Sequence, residues 1–380
     1  MASAYVPGLQ GVVAARTRLS KVDGRRGELV IAGYPLEEIA GRATFEEMVF
    51  LLWNDRLPSA RDLETFRTEL VAVRDLPPIT RDVLEAAAAQ KLPAMDALRM
   101  AAGTLSLRTD GETVPEGPYR DALVSVARFA TIVAGYGRLL AGEGPVAPHH
   151  GLSHAANYLY MLTGSRPSDA RTRALETYLN TVIDHGLNAS TFAARVIVST
   201  ESDVISAIVG AIGALKGPLH GGAPGPALDM VFEIGRAANA EPFMRAKLDR
   251  GERLMGFGHR IYKVRDPRAD VLSAAAEALF RADGDMDLYE LAREVERVAL
   301  RLLDEYKPGR SLRTNVEFFT ALVLQGLGIP VDLFTPTFAV SRVAGWAAHC
   351  LEQLGANRII RPESEYAGET GRHWVPLERR

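Results

Sequence analysis

Apolar residues recur at helical spacing along most of this chain, and the clearest early example follows Thr44. Thr44 and Glu47 form the capping-box pattern that starts helices. The apolar residues that follow fall on one helix face: Phe45, Met48, Val49 and Leu52. Prolines at positions 58, 77, 78 and 93 interrupt the later helical runs. The chain is therefore predicted to be mainly helical.

The later helical runs fall into two styles. Residues 119–140 are strongly apolar on one face and predict a core helix, and residues 338–354 predict an apolar, alanine-rich helix. Residues 203–216 are nearly all apolar, which predicts a helix packed on all sides and a candidate for a subunit interface. Residues 168–182 also predict a helix. Shorter or more charged amphipathic runs lie at residues 227–235, 242–250, 267–281 and 288–306. This change predicts a large helical domain, residues 1–220 and 325–380, with a smaller helical domain, residues 221–324, inserted into it.

Strand signals are confined to the amino-terminal region. Residues 12–31 contain β-branched residues on both sides of Asp23-Gly24, a dipeptide favoured in tight turns, so a short β-hairpin is predicted there. No further strand is expected. The predicted fold class is all-α, with this hairpin as its only sheet.

Composition excludes some partners without identifying one. The chain has 380 residues, with 44 Lys and Arg against 47 Asp and Glu, and its net charge of -3 gives no basic excess for nucleic acid or membrane. Cys350 is the single cysteine, so no intramolecular disulfide can form. No apolar run reaches the roughly 18 residues of a membrane span. The expected location is the cytoplasm.

Residues 254–268, which read LMGFGHRIYKVRDPR, carry the densest candidate chemistry. Glycines on both sides of Phe257 allow a sharp turn and the close approach of a ligand to the backbone. His259 follows, and three basic residues come after it, with Asp-Pro as a helix-start signal before the last. The pattern indicates a loop that holds an anion, although a solvated basic loop with one incidental histidine would read the same way.

A second histidine cluster suggests a metal at first sight. His150 and His154 lie four residues apart and could share a helix face, with His149 beside them. No nearby cysteine or acidic residue completes the four protein ligands of a structural zinc site. We therefore predict no metal and a helix that begins near Ser153.

Two further patches join the loop at 254–268: the glycine-wrapped His220 in GPLHGG, residues 217–222, and Glu317 in the apolar frame NVEFF, residues 315–319. In this order, over nearly the whole chain, the three patches resemble the citrate synthase family. The resemblance implies that Glu317 is a catalytic base, that His220 donates to a thioester oxygen, and that His259 donates to the keto oxygen under attack. Most of the family has aspartate where this chain has Glu317, although some short bacterial members carry glutamate.

The resemblance also implies which residues bind substrate. It assigns oxaloacetate to His185, Arg268, Arg342 and Arg361, with Arg361 reaching into the neighbouring subunit of a homodimer with shared active sites. Other interpretations stay open: His185 could be a helix C-cap, Arg361 could be a surface residue, and a structural Asp or Glu could pair with Arg342. An anionic partner for Arg342 is expected in either case, because it lies in a nearly charge-free run.

For the second substrate the resemblance implies a coenzyme A thioester and no tightly bound cofactor. The residues it assigns to coenzyme A are Gly256, Phe257, Gly258, Lys263 and Arg310. The implied reaction joins acetyl-CoA, oxaloacetate and water into citrate and free coenzyme A. The alternatives are 2-methylcitrate synthesis from propionyl-CoA, since one methylene changes selectivity by only about 1 to 3 kcal/mol, and a non-catalytic interaction protein with the family fold.

Overall fold

The structure, a computed structural model, describes residues 5–221, 224–259 and 261–380. Sixteen α-helices lie in this part of the chain, with one small sheet, so the all-α prediction is confirmed. The first eight helices are α1 (Leu36–Ile39), α2 (Phe45–Asn54), α3 (Ala60–Ala72), α4 (Pro78–Ala89), α5 (Ala94–Gly103), α6 (Pro118–Leu140), α7 (His154–Thr163) and α8 (Asp169–Val182). The others are α9 (Ala189–Val198), α10 (Val204–Leu215), α11 (Pro224–Ile234), α12 (Ala240–Asp249), α13 (Pro267–Asp283), α14 (Asp287–Tyr306), α15 (Val316–Gly326) and α16 (Phe334–Gly355).

Polar side chains begin the helices where the sequence predicted. Thr44 and Glu47 form both hydrogen bonds of the capping box before α2. Ser153, Ser168 and Asp203 are the N-caps of α7, α8 and α10, and each accepts a hydrogen bond from a backbone N–H in the first turn. Such caps satisfy donors that the helix itself leaves open. The sequence analysis missed α9, which Asn188 caps.

The sheet differs from the prediction at both ends. Strands β1 (Ser20–Asp23) and β2 (Glu28–Ile31) pair antiparallel around the predicted turn, but the paired region begins at Ser20 and not near residue 12. A third strand, β3 (Tyr34–Pro35), pairs with β2, so the expectation of no further strand was wrong. The two residues between β2 and β3, Ala32 and Gly33, both have positive φ, the geometry that matches the twist of a tight hairpin.

The core is built around two long helices. Helix α6 packs against α16, and α16 also contacts α8, α9 and α10. Helix α6 is the one helix of the described residues that is long and apolar enough to cross a membrane, yet 78% of its apolar stretch is buried inside the protein. It is therefore a core helix, as its apolar pattern predicted. Helix α16 is buried over most of its length, including Trp346 and Cys350.

Helices α11 to α15 form the neighbouring part of the fold. Helix α13 packs on α8 and on α15, while α11 packs on α15 and α12 on α14. The amino-terminal ends of α13 and α15 lie close together, because Asp266 at the start of α13 accepts a hydrogen bond from the backbone N–H of Val316, 3.3 Å away. This junction carries several of the predicted site residues.

A buried ion-pair triad joins α6 to the loop before it. Glu112 Oε1 lies 2.6 Å from Nε of Arg120, and Glu112 Oε2 lies 2.8 Å from Nη2 of Arg128. The three side chains are 0 to 3% exposed. A carboxylate shared by two buried guanidinium groups cannot be removed without leaving uncompensated charge in the core.

We predict that Glu112→Gln lowers the free energy of unfolding by about 3 to 5 kcal/mol, because both arginines lose their buried counter-charge. Denaturant unfolding measures the loss. Glu116→Gln is the matched control, since Glu116 is 84% exposed and pairs with Arg108 at 3.6 Å. An exposed pair contributes about 0 to 1 kcal/mol, so equal losses in the two variants would contradict the account of the triad.

Candidate active site

The loop that carries His259 is held in a conformation that requires glycine. Gly256 and Gly258 have φ of +85° and +87°, which side chains rarely adopt. A Cβ on Gly256 would lie 2.8 Å from the Phe318 ring. The loop pairs with the strand-like segment before α15: Gly258 N donates to Arg313 O at 2.7 Å, and Asn315 N donates to Gly256 O at 3.0 Å. The glycine spacing thus fixes the histidine loop against the first turn of α15.

The imidazole of His259 has a defined tautomer. Its Nδ1 accepts from the backbone N–H groups of Ile261 and Tyr262, at 3.1 and 3.2 Å. A neutral imidazole that accepts at Nδ1 carries its proton at Nε2. Burial, and then the Arg268 charge, lower the pKa of His259 to about 4, so the ring is neutral at pH 7. His259 therefore presents an Nε2–H donor. Arg268 Nη2, which can only donate, lies 3.4 Å from Nε2, so in this tautomer the two groups are neighbouring donors and not a hydrogen-bonded pair.

Arg268 is held rigidly at the start of α13. The N-cap Asp266 accepts from its Nε at 3.0 Å and from its Nη2 at 2.8 Å, and also from its backbone N at 3.1 Å. Both side chains are buried. The described residues provide no acceptor for Nη1 of Arg268, so this part of the guanidinium group is left for a ligand. Asp-Pro before the arginine, which suggested a helix start in the sequence, is thus also the clamp that orients the guanidinium.

Glu317 lies in the first turn of α15, two residues after the capping residue Asn315, whose Oδ1 accepts from the Glu317 backbone N at 3.0 Å. Among the described residues no hydrogen-bond donor reaches its carboxyl group. Burial raises the pKa of Glu317 from its ordinary 4.5 to about 7, partly offset by the positive charges of Arg268 and Arg342. A carboxyl group with this pKa is suited to accept a proton near neutral pH.

His185 lies in the turn between α8 and α9, next to the same cluster. Its Nε2 is 3.0 Å from the Tyr262 hydroxyl, and its ring centroid is 5.9 Å from that of His259. Burial and the charge of Arg268 lower the pKa of His185 well below its usual value. The alternative interpretation as a helix C-cap was wrong, because α8 ends at Val182 with Ile183 as its C-cap.

His220 follows α10 and is held by a different network. Its Nε2 is 2.8 Å from Ser190 Oγ, which accepts from Trp346 Nε1 at 3.0 Å and lies 2.8 Å from Asn188 Oδ1. Burial, and then the charge of Arg342, lower the pKa of His220 to about 4. The third imidazole of the site is therefore also neutral at pH 7. The sequence analysis gave no role to Ser190 or Trp346, and only tertiary contact brings them to His220.

Arg342 lies on the buried face of α16. Its Nε donates to the backbone carbonyl of Val182 at 2.7 Å, and its guanidinium carbon lies 4.5 Å from the centre of the Phe338 ring. No carboxylate of the described residues forms an ion pair with it, so the alternative of a structural Asp or Glu partner was wrong. A carbonyl and an aromatic face take the place of an ion pair here. Burial lowers the pKa of Arg342 to about 10, and the negative charge of Asp184, at longer range, opposes this decrease. The remaining charge is available to an anionic ligand.

Some predicted residues lie apart from this cluster. Arg310 and Arg361 are exposed, in the loop before α15 and in the tail after α16. The backbone N of Lys263 donates to Gly24 O at 2.8 Å. Gly222 of the His220 motif and Arg260 of the His259 motif lie outside the described residues. Tyr262, which lies inside the motif that the sequence analysis identified, is a further site residue that it left without a role.

The histidines at positions 149, 150 and 154 do not form a common site. His149 Nε2 lies 2.8 Å from Arg166 Nη2, His150 is exposed, and His154 is buried in the first turn of α7. In the described ranges of the chain, no group of three or more His, Cys, Asp or Glu residues could hold a metal ion.

Comparison with known proteins gives a family. The family model described as "Citrate synthase, C-terminal domain" matches residues 8–363. A citrate synthase of Haloferax volcanii is 41% identical over 98% of this chain and 98% of its own length. A 2-methylcitrate synthase of Mycobacterium tuberculosis is 39% identical over 96% of this chain and 91% of its own. A solved citrate synthase of Thermoplasma acidophilum, in a ternary complex with carboxymethyl coenzyme A and oxaloacetate, has a TM-score of 0.85 and 31% identity, covering 98% of each chain.

The fold and the comparisons define the class first: this is an all-α enzyme that transfers acyl groups. The cluster of three neutral imidazoles, two buried arginines and one free carboxyl group lies where α8, α13, α15 and α16 meet. The chain belongs to the citrate synthase family. The activity that these relatives support is citrate synthesis.

We predict that Glu317→Gln becomes more stable relative to wild type as pH rises. The unfolded carboxyl group loses its proton near pH 4.5 and the folded one near 7, so between these values ionisation favours the unfolded wild-type chain. The gap between the melting temperatures of Glu317→Gln and wild type should therefore widen from pH 4.5 to pH 8. The exposed Glu85→Gln is the control, and a gap that is equally pH-independent in both variants would contradict a buried carboxyl group.

Proposed function

We propose that this enzyme condenses acetyl-CoA with oxaloacetate and water to give citrate and free coenzyme A. One observation carries the proposal: the carboxyl group of Glu317 has no hydrogen-bond partner among the described residues and a pKa of about 7, and the charges of Arg268 and Arg342 act on it in the same cluster as the neutral imidazoles. This is the set of groups that a carbon-carbon condensation through an enol needs, namely a base, hydrogen-bond donors and anion-binding sites.

The first step is proton removal from the acyl thioester. Glu317 takes the α-hydrogen, and the electron pair moves toward the thioester oxygen. A donor must stabilise that oxygen as charge develops, and we assign it to His220, which stays neutral because its pKa is lowered to about 4. A neutral imidazole can donate a hydrogen bond to the thioester oxygen without bringing a full positive charge into the site.

The second step is attack on the keto acid. The nucleophilic carbon of the enolate forms a bond to the keto carbon as the C=O π bond opens, and the keto oxygen, which accepts from the Nε2–H of His259, becomes a hydroxyl. The proton that this oxygen gains balances the α-hydrogen that Glu317 removed. The two carboxylates of oxaloacetate go to Arg268, Arg342 and, from the neighbouring subunit, Arg361, with His185 as a further contact. Arginine suits this role because it stays charged when buried and binds carboxylates through two parallel hydrogen bonds. Water then cleaves the thioester and releases coenzyme A.

We assign coenzyme A to the loop of Gly256, Phe257 and Gly258, with Lys263 and Arg310 facing its phosphates. The Thermoplasma citrate synthase bound to a coenzyme A analogue and oxaloacetate supports a thioester and a keto acid as the two substrates. The main-chain pairing of Gly256 and Gly258 with residues 313–315 supports the loop as a rigid wall. No tightly bound cofactor enters this scheme.

We also propose the assembly in which the enzyme works. Residues 221–324 act as a small domain, with the predicted second boundary falling inside α15. Arg361 lies in an exposed tail with no partner among the described residues of its own chain, which supports a homodimer in which this arginine completes the neighbouring site. The proposed location is the cytoplasm, consistent with the single buried thiol, Cys350.

The release of free thiol tests the reaction. The purified enzyme should release coenzyme A from acetyl-CoA when oxaloacetate is present and not without it, and Glu317→Gln should lower kcat by about 10² to 10⁴-fold, the usual contribution of a general base. Faster release from propionyl-CoA would assign the enzyme to 2-methylcitrate synthesis. No oxaloacetate-dependent release from either thioester would leave the non-catalytic interaction protein.

Subunit mixing tests the shared site. Arg361→Ala and His220→Ala should each be inactive alone, because each removes one part of every site in its homodimer. In a mixed dimer one of the two sites has both residues intact, so mixing should restore part of the activity. Subunit exchange is followed with differently tagged chains. Exchange without recovery would contradict a contribution of Arg361 across the interface.

A further inference from the structure

The β1–β2 hairpin touches the two loops that carry His185 and His259, and the reaction scheme gives it no part. We propose that its turn is a positioning device for His259, and that Gly24 is the residue through which it acts. This inference rests on the role proposed above for His259 as the donor to the keto oxygen. It adds a positioning residue more than 200 positions away in the sequence.

The turn itself is rigid. Asp23 closes it: Oδ1 accepts from the backbone N–H groups of Arg25 and Arg26, both at 3.0 Å, and its carbonyl accepts from Gly27 N at 2.9 Å. Gly27 has a φ of +70° and packs against the His259 loop, because a Cβ there would lie 2.8 Å from a methyl group of Val264. A turn held by three hydrogen bonds can transmit a fixed position to whatever it contacts.

Gly24 is in direct backbone contact with the segment after His259. Its carbonyl accepts from Lys263 N at 2.8 Å. An added Cβ would overlap the carbonyl oxygen of Ile261 and would lie 2.7 Å from its carbonyl carbon. These are backbone atoms, so no change of rotamer relieves the overlap. Any side chain at position 24 must displace the loop or the hairpin.

The displaced backbone is the one that orients the imidazole. The N–H groups of Ile261 and Tyr262 donate to His259 Nδ1, and these two bonds place the proton on Nε2. A shift of the Ile261 peptide weakens both bonds, turns the ring, and lets the proton move to Nδ1. The Nε2–H donor, which lies beside the guanidinium of Arg268, would then be lost or misdirected.

The other end of the hairpin anchors the His185 loop. Ser20 of β1 donates through its hydroxyl to Asp184 and accepts from Gly186 N at 2.8 Å. One short hairpin therefore contacts both loops, the one that carries His185 and the one that carries His259. The centroids of these two rings are 5.9 Å apart. This gives the turn a fixed base from which to hold the second loop.

Gly24→Ala tests the proposal against Gly41→Ala. Both glycines lack a positive φ, but a Cβ on Gly41 meets nothing within 4 Å. Gly24→Ala should lower kcat by about 10 to 100-fold, since misplacement near 1 Å costs about 10²-fold, while KM for oxaloacetate changes less than kcat. The ¹⁵N chemical shifts of the labelled His259 ring should no longer be those of the Nε2–H tautomer. A folded Gly24→Ala with the kcat and the imidazole shifts of Gly41→Ala would overturn the proposal.

A second pair of variants covers the case in which Gly24→Ala does not fold. Asp23→Ala removes the acceptor that closes the turn and adds no clash, whereas Asp23→Asn keeps an oxygen in its place. Asp23→Ala should lower kcat and Asp23→Asn should restore it; equal kcat in both and in wild type would overturn the proposal. His259→Ala distinguishes failure of the proposed function from failure of this inference. A normal kcat in His259→Ala would refute the proposed function itself. A reduced kcat in His259→Ala together with a normal kcat in the turn variants would refute only this inference.

Discussion

The partial removal of a cluster of ionisable groups from water is the constraint on which the rest of the site depends. Burial keeps the three imidazoles neutral and holds the pKa of Glu317 near 7, while Arg268 and Arg342 limit that rise. In water the same groups would sit near their ordinary values, with a fully ionised glutamate that is a weak base. Desolvation thus turns ordinary side chains into a proton acceptor and neutral donors.

This arrangement requires two buried arginines that stay charged. The fold stabilises the two charges in different ways. Arg268 is paired with Asp266, a residue two positions earlier that also caps α13. Arg342 pairs with no carboxylate in the part of the chain that the structure describes, and instead contacts the carbonyl of Val182 and the face of Phe338. In both cases some N–H donors of the guanidinium remain available to a ligand, because these partners do not use all of them.

Rigid support comes from helix ends and glycine turns. Glu317 and Arg268 both lie in the first turn of a helix whose N-cap is hydrogen-bonded, so neither backbone can move independently of its helix. His259 and His185 instead lie on loops, and these are fixed by main-chain hydrogen bonds to the segment before α15 and to the hairpin. Placement to within a fraction of an ångström is what makes such donors effective in a transition state.

The sequence by itself determined the elements that depend on local chemistry. Caps such as Thr44, Ser153 and Ser168 start helices where predicted, because a side-chain oxygen satisfies the first-turn donors wherever it occurs. The motifs around His220, His259 and Glu317 were also recognisable, since their glycines and flanking residues are contiguous. Only the tertiary structure decided what surrounds them. The Ser190–Trp346 support of His220 and the contact of Gly24 with Ile261 join residues far apart in sequence, as does the contact of Arg342 with Val182. Burial, which shifts the pKa values of the three imidazoles and of Glu317, is a property of the packed chain.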